Sequence, residues 1–489
     1  MMKSVSLIFL ALFACFCVSG GIKNGGVQSV YYWKKILFEN LPYPANTLIG
    51  KYHYYIPAQN DVNGIQYHTQ SGLMIAAVGR IRPGVPSTLN AFCVADYDKG
   101  TSPYLWGFPD YEKNTLKAEF YGNSRKFVSR NSNYSAGYFH HFFEDTEYDD
   151  PRRRKVNKRP QITNQNDFTI ISTYFPTVDN RCNRLYVVDT GSLRYGASEV
   201  YFVQNPAIIV FDLPSDGCEN RNFPVIRRVE IPSHLWTISI GFGFITVDYQ
   251  TKGSCDDVYL YISNIFDNSL VVYDYRLDKF WSFTDSSMKP ILAESTLNFK
   301  DDSYLIPLGI SNLALGWPDK YGYRNAYYNP ASSSVEYVVS TKYLRDYRNA
   351  VYKENPKKFK ALGYRGCKAT DLKQVFDIFT GVIFFGGMES NKIQCWNTQL
   401  PLNPDNIGVI YEASESVFFA DLSLNCDGYL WFLTNQLPFM FLTEDLLNIS
   451  EINTKIFRVK ASEAIKGTVC DISNQSSRKQ KKEKYLISL

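Results

Sequence analysis

Catalytic signatures are missing from this 489-residue chain. It has no G-x-S-x-G, no P-loop, no H-E-x-x-H and no G-x-G-x-x-G, which removes the common serine-hydrolase, nucleotide-binding and zinc-protease patterns. The short Gly241-Phe-Gly-Phe segment is too brief for a nucleotide loop and instead lets a strand pack closely. Histidine is scarce: His53, His68, His140, His141 and His234 are the full set. His140 and His141 are adjacent on one polar loop, where two rings rarely converge on a single ion, so neither a metal nor another cofactor is expected. Excess charge is also lacking. Lys and Arg total 52 against 48 Asp and Glu, a net charge of +4, without the concentrated basic field of a nucleic-acid binder. Past the N-terminus no uninterrupted apolar run is long enough to cross a membrane as a helix.

What the chain has in quantity is aromatic side chains. There are 36 Tyr and 33 Phe, and 45% of all residues are apolar. That is ample for a large core, and rings favour strands, so a β-rich fold is the first expectation. Lys3, the apolar run Val5 to Val18 and the small residues Ser19, Gly20 and Gly21 have the order of a secretory signal peptide. A cut after Ser19 is expected, with an uncleaved anchor as the rival. Cys15 and Cys17 would leave with that segment. Eight cysteines then remain: Cys93, Cys182, Cys218, Cys255, Cys367, Cys395, Cys426 and Cys470. An even number in an exported chain suggests disulfides, but spacing alone cannot choose the pairing. No C-x-x-C occurs, which weakens zinc and thioredoxin-like readings. Asn133, Asn448 and Asn474 head N-x-S sequons and are candidate glycan sites.

A loosely repeated unit organises the chain: a short apolar strand ending in small or polar residues, then a second strand. Its copies are Leu73-Met-Ile-Ala-Ala-Val-Gly with Leu89-Asn-Ala-Phe-Cys-Val-Ala, Leu185-Tyr-Val-Val-Asp-Thr-Gly with Ala207-Ile-Ile-Val-Phe-Asp, and Val258-Tyr-Leu-Tyr-Ile-Ser-Asn with Leu270-Val-Val-Tyr-Asp. Three more follow from Leu308, Val382 and Tyr429. Six units at this spacing predict an all-β, six-bladed β-propeller with a central channel. Residues 20–473 would form it. Val27 to Phe38 is apolar enough to add an outer strand that pairs near Lys455 to Val459 and closes the ring. Ser340 to Tyr352 reads as a short helix. A long polar insertion at about 120–166 carries adjacent acidic and basic blocks, as solvated loops do, and residues 474–489 read as a flexible basic tail.

Candidate channel residues are those at strand ends. Asp189 and Asp421 each fit two roles, a carboxylate that binds a cation or moves a proton, or one that holds a turn through backbone N–H groups. Trp396, beside Asn397, either floors a pocket for an aromatic amine or wedges between blades. Thr190 and Asn264 occupy comparable positions, where such residues also serve turns.

These segments together resemble the insect yellow / major royal jelly protein family. The matching motifs are Cys182-Asn-Arg-Leu-Tyr-Val-Val-Asp-Thr-Gly, Pro206-Ala-Ile-Ile-Val-Phe-Asp-Leu, Cys255-Asp-Asp-Val-Tyr-Leu-Tyr-Ile-Ser, Gln394-Cys-Trp-Asn-Thr, Gly428-Tyr-Leu-Trp-Phe-Leu-Thr-Asn-Gln-Leu-Pro and Gly467-Thr-Val-Cys-Asp. They fit in order and spacing from about residue 27 to 473. The resemblance implies a secreted propeller with Cys395 bonded to Cys470, and Cys182 with Cys255 is a second expected pair. Cys93, Cys218, Cys367 and Cys426 have no clear counterpart. Many relatives carry a cysteine where this chain has Gln204-Asn205. The resemblance implies a mixed functional record: binding of a catecholamine, biogenic amine or oxidised derivative, conversion of dopachrome, or a structural or nutritive secretion. The leading expectation is an extracellular protein that binds a small aromatic amine or catechol in its channel, in cuticle or eggshell maturation.

Overall fold

Short strands that are apolar on both faces need a packing partner on each side, and a radial stack of small sheets provides it. The computed structural model describes residues 26–473 apart from 119, 121–124, 129–167, 196–198, 238–240, 251–253, 353–355 and 444. The expected signal peptide, Asn133, Asn474, the basic tail and most of the 120–166 insertion lie outside the described residues.

Six four-stranded antiparallel units form a six-bladed β-propeller. Blade 1 is built on Gly64–His68, Leu73–Ala77, Leu89–Cys93 and Tyr104–Gly107. Blade 2 uses Thr177–Asp179, Arg184–Asp189, Ala207–Asp212 and Val225–Glu230. Blade 3 uses Phe242–Tyr249, Val258–Asn264, Ser269–Asp274 and Lys279–Thr284. Blade 4 runs from Ala314–Pro318 to Lys360–Tyr364, blade 5 from Asp371–Asp377 to Ile407–Glu412, and blade 6 starts with Phe418–Leu424. The first strand of every blade touches the first strands of its two neighbours, so these six line the axis. Buried clusters fill each gap between blades, such as Leu185, Val187 and Phe211 against Leu73, Ile75 and Phe108 between blades 2 and 1. This explains why the strands read as unbroken apolar runs rather than alternating patterns.

Hairpin turns repeat one local device. A residue with positive φ sits just before the second strand, Asn183 (φ 52°) in blade 2 and Gly381 (φ 78°) in blade 5. At Gly381 a Cβ would also lie 2.3 Å from the Trp317 ring, so only glycine fits.

The N-terminal strand closes the ring as expected. Gln28–Trp33 pairs antiparallel with Thr454–Lys460, from Gln28 opposite Arg458 to Trp33 opposite Thr454. It becomes the outermost strand of blade 6. The next strand, Leu37–Phe38, pairs instead with Tyr104–Gly107 of blade 1 in parallel. One segment therefore joins the last blade to the first. Trp33 is fully buried at this seam and donates from Nε1 to the Pro103 carbonyl at 2.7 Å.

The remaining seams use two chemistries. Cys93–Cys218 links blades 1 and 2, Cys182–Cys255 links blades 2 and 3, and Cys395–Cys470 ties blade 5 to the segment after blade 6. The two expected pairs are present, and Cys93–Cys218 is the pairing that spacing left open. Cys426 is an exposed free thiol. Between blades 3 and 4 the seam is ionic: Arg345 reaches Asp248 at 2.7 Å, both side chains almost fully buried. Between blades 4 and 5, Arg365 bonds Asp371 at 2.5 Å, and Gln374 donates to Glu336 at 2.9 Å. The expected helix at Ser340 to Tyr352 is two shorter ones, Thr341–Leu344 and Tyr347–Tyr352, because the chain breaks at Arg345, whose guanidinium turns inward to Asp248. A second correction concerns the unit read from Leu308. Residues 306–313 are a connector, with one isolated bridge at Ile310, and the strand proper is Ala314–Pro318.

These seams carry a pH signature. Burial pushes the Glu336 and Asp61 carboxyls up to about 7 in the folded chain. In the unfolded chain such groups titrate near 4. Between about pH 4 and 7 the folded state therefore holds more protons, so stability falls as pH rises through that window and levels off above it. Acidifying from pH 7.5 to 5.5 is expected to raise the melting temperature. Glu336→Gln, neutral throughout and still able to accept from Gln374, is expected to show a smaller rise in the same melts. An equal rise in the variant would refute the assignment to Glu336.

Candidate functional site

The inner strands carry irregularities just where they approach the axis. Register shifts fall between Phe242 and Ile245 in blade 3, between Asp371 and Gln374 in blade 5, and between Phe419 and Asp421 in blade 6. A bulge puts an extra residue on one strand and re-aims its side chains. Here the shifts span Gly243 and Phe244, Leu372 and Lys373, and Ala420. Gly243, Phe244 and Leu372 line a cavity of about 150 Å³. At roughly 10–15 Å³ per water by this measure, it has room for on the order of ten waters, the volume of a small aromatic molecule.

Every blade contributes to the lining, from Ile81 of blade 1 to Phe418 of blade 6. Phe175 and Phe244 stack at 4.0 Å between ring centroids, and Phe266, Phe418, Phe441 and Tyr174 complete an aromatic wall. Behind Phe244, Lys373 Nζ lies 4.8 Å from its ring centroid. Two insertions border the opening. The hairpin Thr296–Phe299 with Asp302–Leu305 precedes blade 4, and the helix Leu437–Leu442 interrupts blade 6. Thr296 is exposed and Leu297 buried, so the hairpin has one wet edge and one face in the cavity.

Most polar groups in the wall are already engaged. Thr190 Oγ1 donates to Ser172 O at 3.1 Å. Ser295 Oγ donates to Ile291 O, and Ser332 Oγ donates to Ile306 O while accepting from Leu308 N. Ser311 is different. Its hydroxyl is buried in the wall and has no hydrogen-bond partner. Arg194 is 6% exposed and packs its guanidinium 5.1 Å from the Phe266 ring centroid and 6.0 Å from that of Phe441. Burial pushes its pKa below the usual arginine range. Burial also raises the Tyr174 hydroxyl, so it stays protonated.

Of the six residues singled out in the sequence, Thr190 lines the cavity and the other five do not. Asp189 is fully buried. It accepts from the backbone N–H groups of Ile171, Ser172 and Gly191 and from Gln204 Nε2 at 2.8 Å. Its geometry is that of the turn-holding role. Gln204 also donates to Thr169 O, so this residue, where the family resemblance implies cysteine, ties the same strap by hydrogen bonds. Asp421 pairs with Lys373 at 2.6 Å and accepts from Ile65 N at 2.7 Å. Burial raises both carboxyls, opposed at Asp421 by Lys373. Asn264 donates to Asp267 at 2.7 Å. Trp396 lies in the core between blades 4 and 5, edge-on to Tyr327, and donates to Leu400 O. Asn397 donates to Cys470 O and caps a turn at Gln399. The sequon at Asn448 is exposed, in a turn where Ser450 N bonds its side chain.

Fold and site together define a six-bladed propeller with an aromatic axial cavity. The pattern of the major royal jelly protein family matches residues 171–470, and the chain belongs to that family. The yellow-related salivary protein SP03 of Phlebotomus perniciosus is 30% identical, covering 95% of this chain and 99% of its own. The yellow-related salivary protein ASP4 of Phlebotomus orientalis is 37% identical over 62% of this chain and 74% of its own. The L-dopachrome tautomerase yellow-f of Drosophila melanogaster is 27% identical over 96% and 100%. Among the described residues no helix is long and apolar enough to cross a membrane, and no group of three metal-ligating side chains occurs.

Proposed function

We propose that this protein binds a small aromatic molecule, a catecholamine, a biogenic amine or an oxidised derivative of one, in its axial cavity. The observation that carries the reading is the wall of Phe175, Phe244, Phe266, Phe418 and Phe441 around a space of that size. Rings offer large apolar area with little entropy to lose, and they stack on planar ligands. The disulfides and the salivary relatives support a site of action outside the cell, after removal of a signal peptide at 1–19. Cuticle or eggshell maturation is the setting in which such a ligand would be met. Isothermal calorimetry with dopamine, serotonin and dopachrome tests the reading. Binding of at least one at micromolar concentration is expected, and no heat at millimolar concentration of any would overturn it.

The tautomerase relative favours a second reading, conversion of dopachrome. Proton transfer needs a base within hydrogen-bond reach of the substrate. Asp189 and Asp421 are engaged elsewhere, and the carboxylate in the cavity wall is Glu294. On this reading the wild type speeds the absorbance loss of dopachrome, and Glu294→Gln slows that loss at least tenfold. A decay rate unchanged by wild-type protein removes enzymatic conversion and leaves binding, or a structural or nutritive role.

A further inference from the structure

Asn448 stands on the loop that leads from the mouth helix Leu437–Leu442 to the strand Thr454–Lys460 of blade 6. The loop is tied down on both sides. Leu447 is buried and donates from its N to Ala58 O at 3.0 Å. Asn453 donates from its N to Trp33 O at 2.9 Å and from Nδ2 to Lys34 O at 2.7 Å. Between these anchors a turn closes, with Glu451 N donating to Asn448 O at 3.1 Å. Asn448 is exposed at the head of that turn. Its Oδ1 accepts from Ser450 N at 3.1 Å, and its Nδ2 donates to Glu451 Oε1 at 2.9 Å. An amide nitrogen carries two hydrogens. A sugar replaces one of them and leaves the other for Glu451, so the turn and a glycan are compatible.

The same loop turns three apolar side chains outward: Leu446 is 55% exposed, and Ile449 and Ile452 are 40% each. One exposed leucine is ordinary, but three on a single anchored loop form a patch that calls for a cover. The chain supplies one itself, because the sequon lies inside the patch, between Leu446 and Ile449. An oligosaccharide there is bulky and hydrated, lays the C–H faces of its first sugars on the apolar side chains, and keeps a protein partner off. Resting on the reading of the chain as exported, we propose that Asn448 is N-glycosylated and that its glycan covers the patch of Leu446, Ile449 and Ile452. In the transfer, Asn448 Nδ2 bonds C1 of a lipid-diphosphate-linked oligosaccharide. The C1–O bond to the lipid diphosphate breaks, that group leaves, and Nδ2 gives up one proton.

The test is expression of the full chain in insect cells, then peptide N-glycosidase treatment of the secreted protein in heavy-oxygen water and peptide mass spectrometry. Asn448 is expected to emerge as oxygen-labelled aspartate. Ser450→Ala destroys the sequon but keeps the backbone N–H that holds the turn, so the label should vanish. That variant should bind roughly twofold more of an apolar-surface dye and self-associate at lower concentration than wild type. Adding Leu446→Ser, Ile449→Ser and Ile452→Ser should cancel both changes. Enzymatic removal of the sugar from folded wild type should raise dye binding equally, which decides the matter should the variant fail to fold. Secreted protein with Asn448 unlabelled would overturn the proposal and leave export standing. A labelled Asn448 with dye binding unchanged on removal of the sugar would also overturn it, since the glycan would then cover nothing. A chain retained in the cells with residues 1–19 uncut would bring down export and this proposal together.

Discussion

Phe244→Leu weakens binding of an aromatic ligand about tenfold or more while leaving the melting curve close to wild type. Phe244 stacks on Phe175 at 4.0 Å, and its ring lies between the cavity and the buried Lys373–Asp421 pair. Leucine keeps most of the apolar volume, so the packing cost stays near 1 kcal/mol. The planar face is lost, and a ring–ring contact is worth about 0.5–1.5 kcal/mol beyond its area, a factor of roughly 2–10. The ring also shields Lys373 from the ligand, so its loss exposes charge to an apolar face and adds to the effect. Phe244→Ala goes further, with about 3–5 kcal/mol of stability lost as well. Calorimetry paired with thermal melts separates the two variants. Unchanged affinity in Phe244→Leu would mean that ligand, if bound, sits elsewhere.

The second large effect is at the ring seam. Trp33→Ala should cost about 3–5 kcal/mol, the range for removing a buried large aromatic. The indole is fully buried, meets Phe92 edge-on at 6.0 Å and satisfies the Pro103 carbonyl, so the variant leaves both a cavity and an unpaired acceptor. With unfolding entropy near 2.1 cal/mol/K per residue, a chain of this length should lose about 3–5 °C in melting temperature. Deleting residues 26–38 should do far more, because both blade 6 and blade 1 then lose an edge strand. A melting temperature within a degree of wild type for Trp33→Ala would refute the seam as a stability determinant.

The blades were legible in the sequence because each buries two apolar faces, and that demand marks strands such as Val258–Asn264 and Tyr429–Asn435 unmistakably. Closure by the N-terminal strand was legible for the same reason. The cavity was not. Phe244 and Leu372 point inward through bulges, which have no period to detect, and Arg194, Phe266 and Phe441 come from segments between the blade strands. The two Gly–Phe steps at Gly241 to Phe244 were the available signal, since close backbone approach is what a bulge at an axis needs. Strand-end position misdirected the choice of Trp396 and Asn397. They end the third strand of blade 5, and a motif read along the chain says nothing about distance from the axis. The polar seams at Asp248–Arg345 and Arg365–Asp371 were equally silent: the first pair is separated by 97 residues, and the second, though only six residues apart, carries no pattern that marks its members as partners.

Placing the first strand on the last blade also sets a timetable for synthesis. Asn453 bonds the Lys34 carbonyl across 419 residues, a stretch that takes a ribosome on the order of 20–80 s at about 5–20 residues per second. Through that interval Gln28–Trp33 has no partner, and an apolar strand with unpaired N–H and C=O groups is an invitation to pair with another chain. The covalent links between blades 1 and 2 and between blades 2 and 3 can form while translation continues, but Cys470 emerges only at the end. A product truncated before Thr454 would keep its early blades and leave an open, adhesive edge, so aggregation during biosynthesis, rather than loss of ligand, is the first fault to expect of C-terminal truncations.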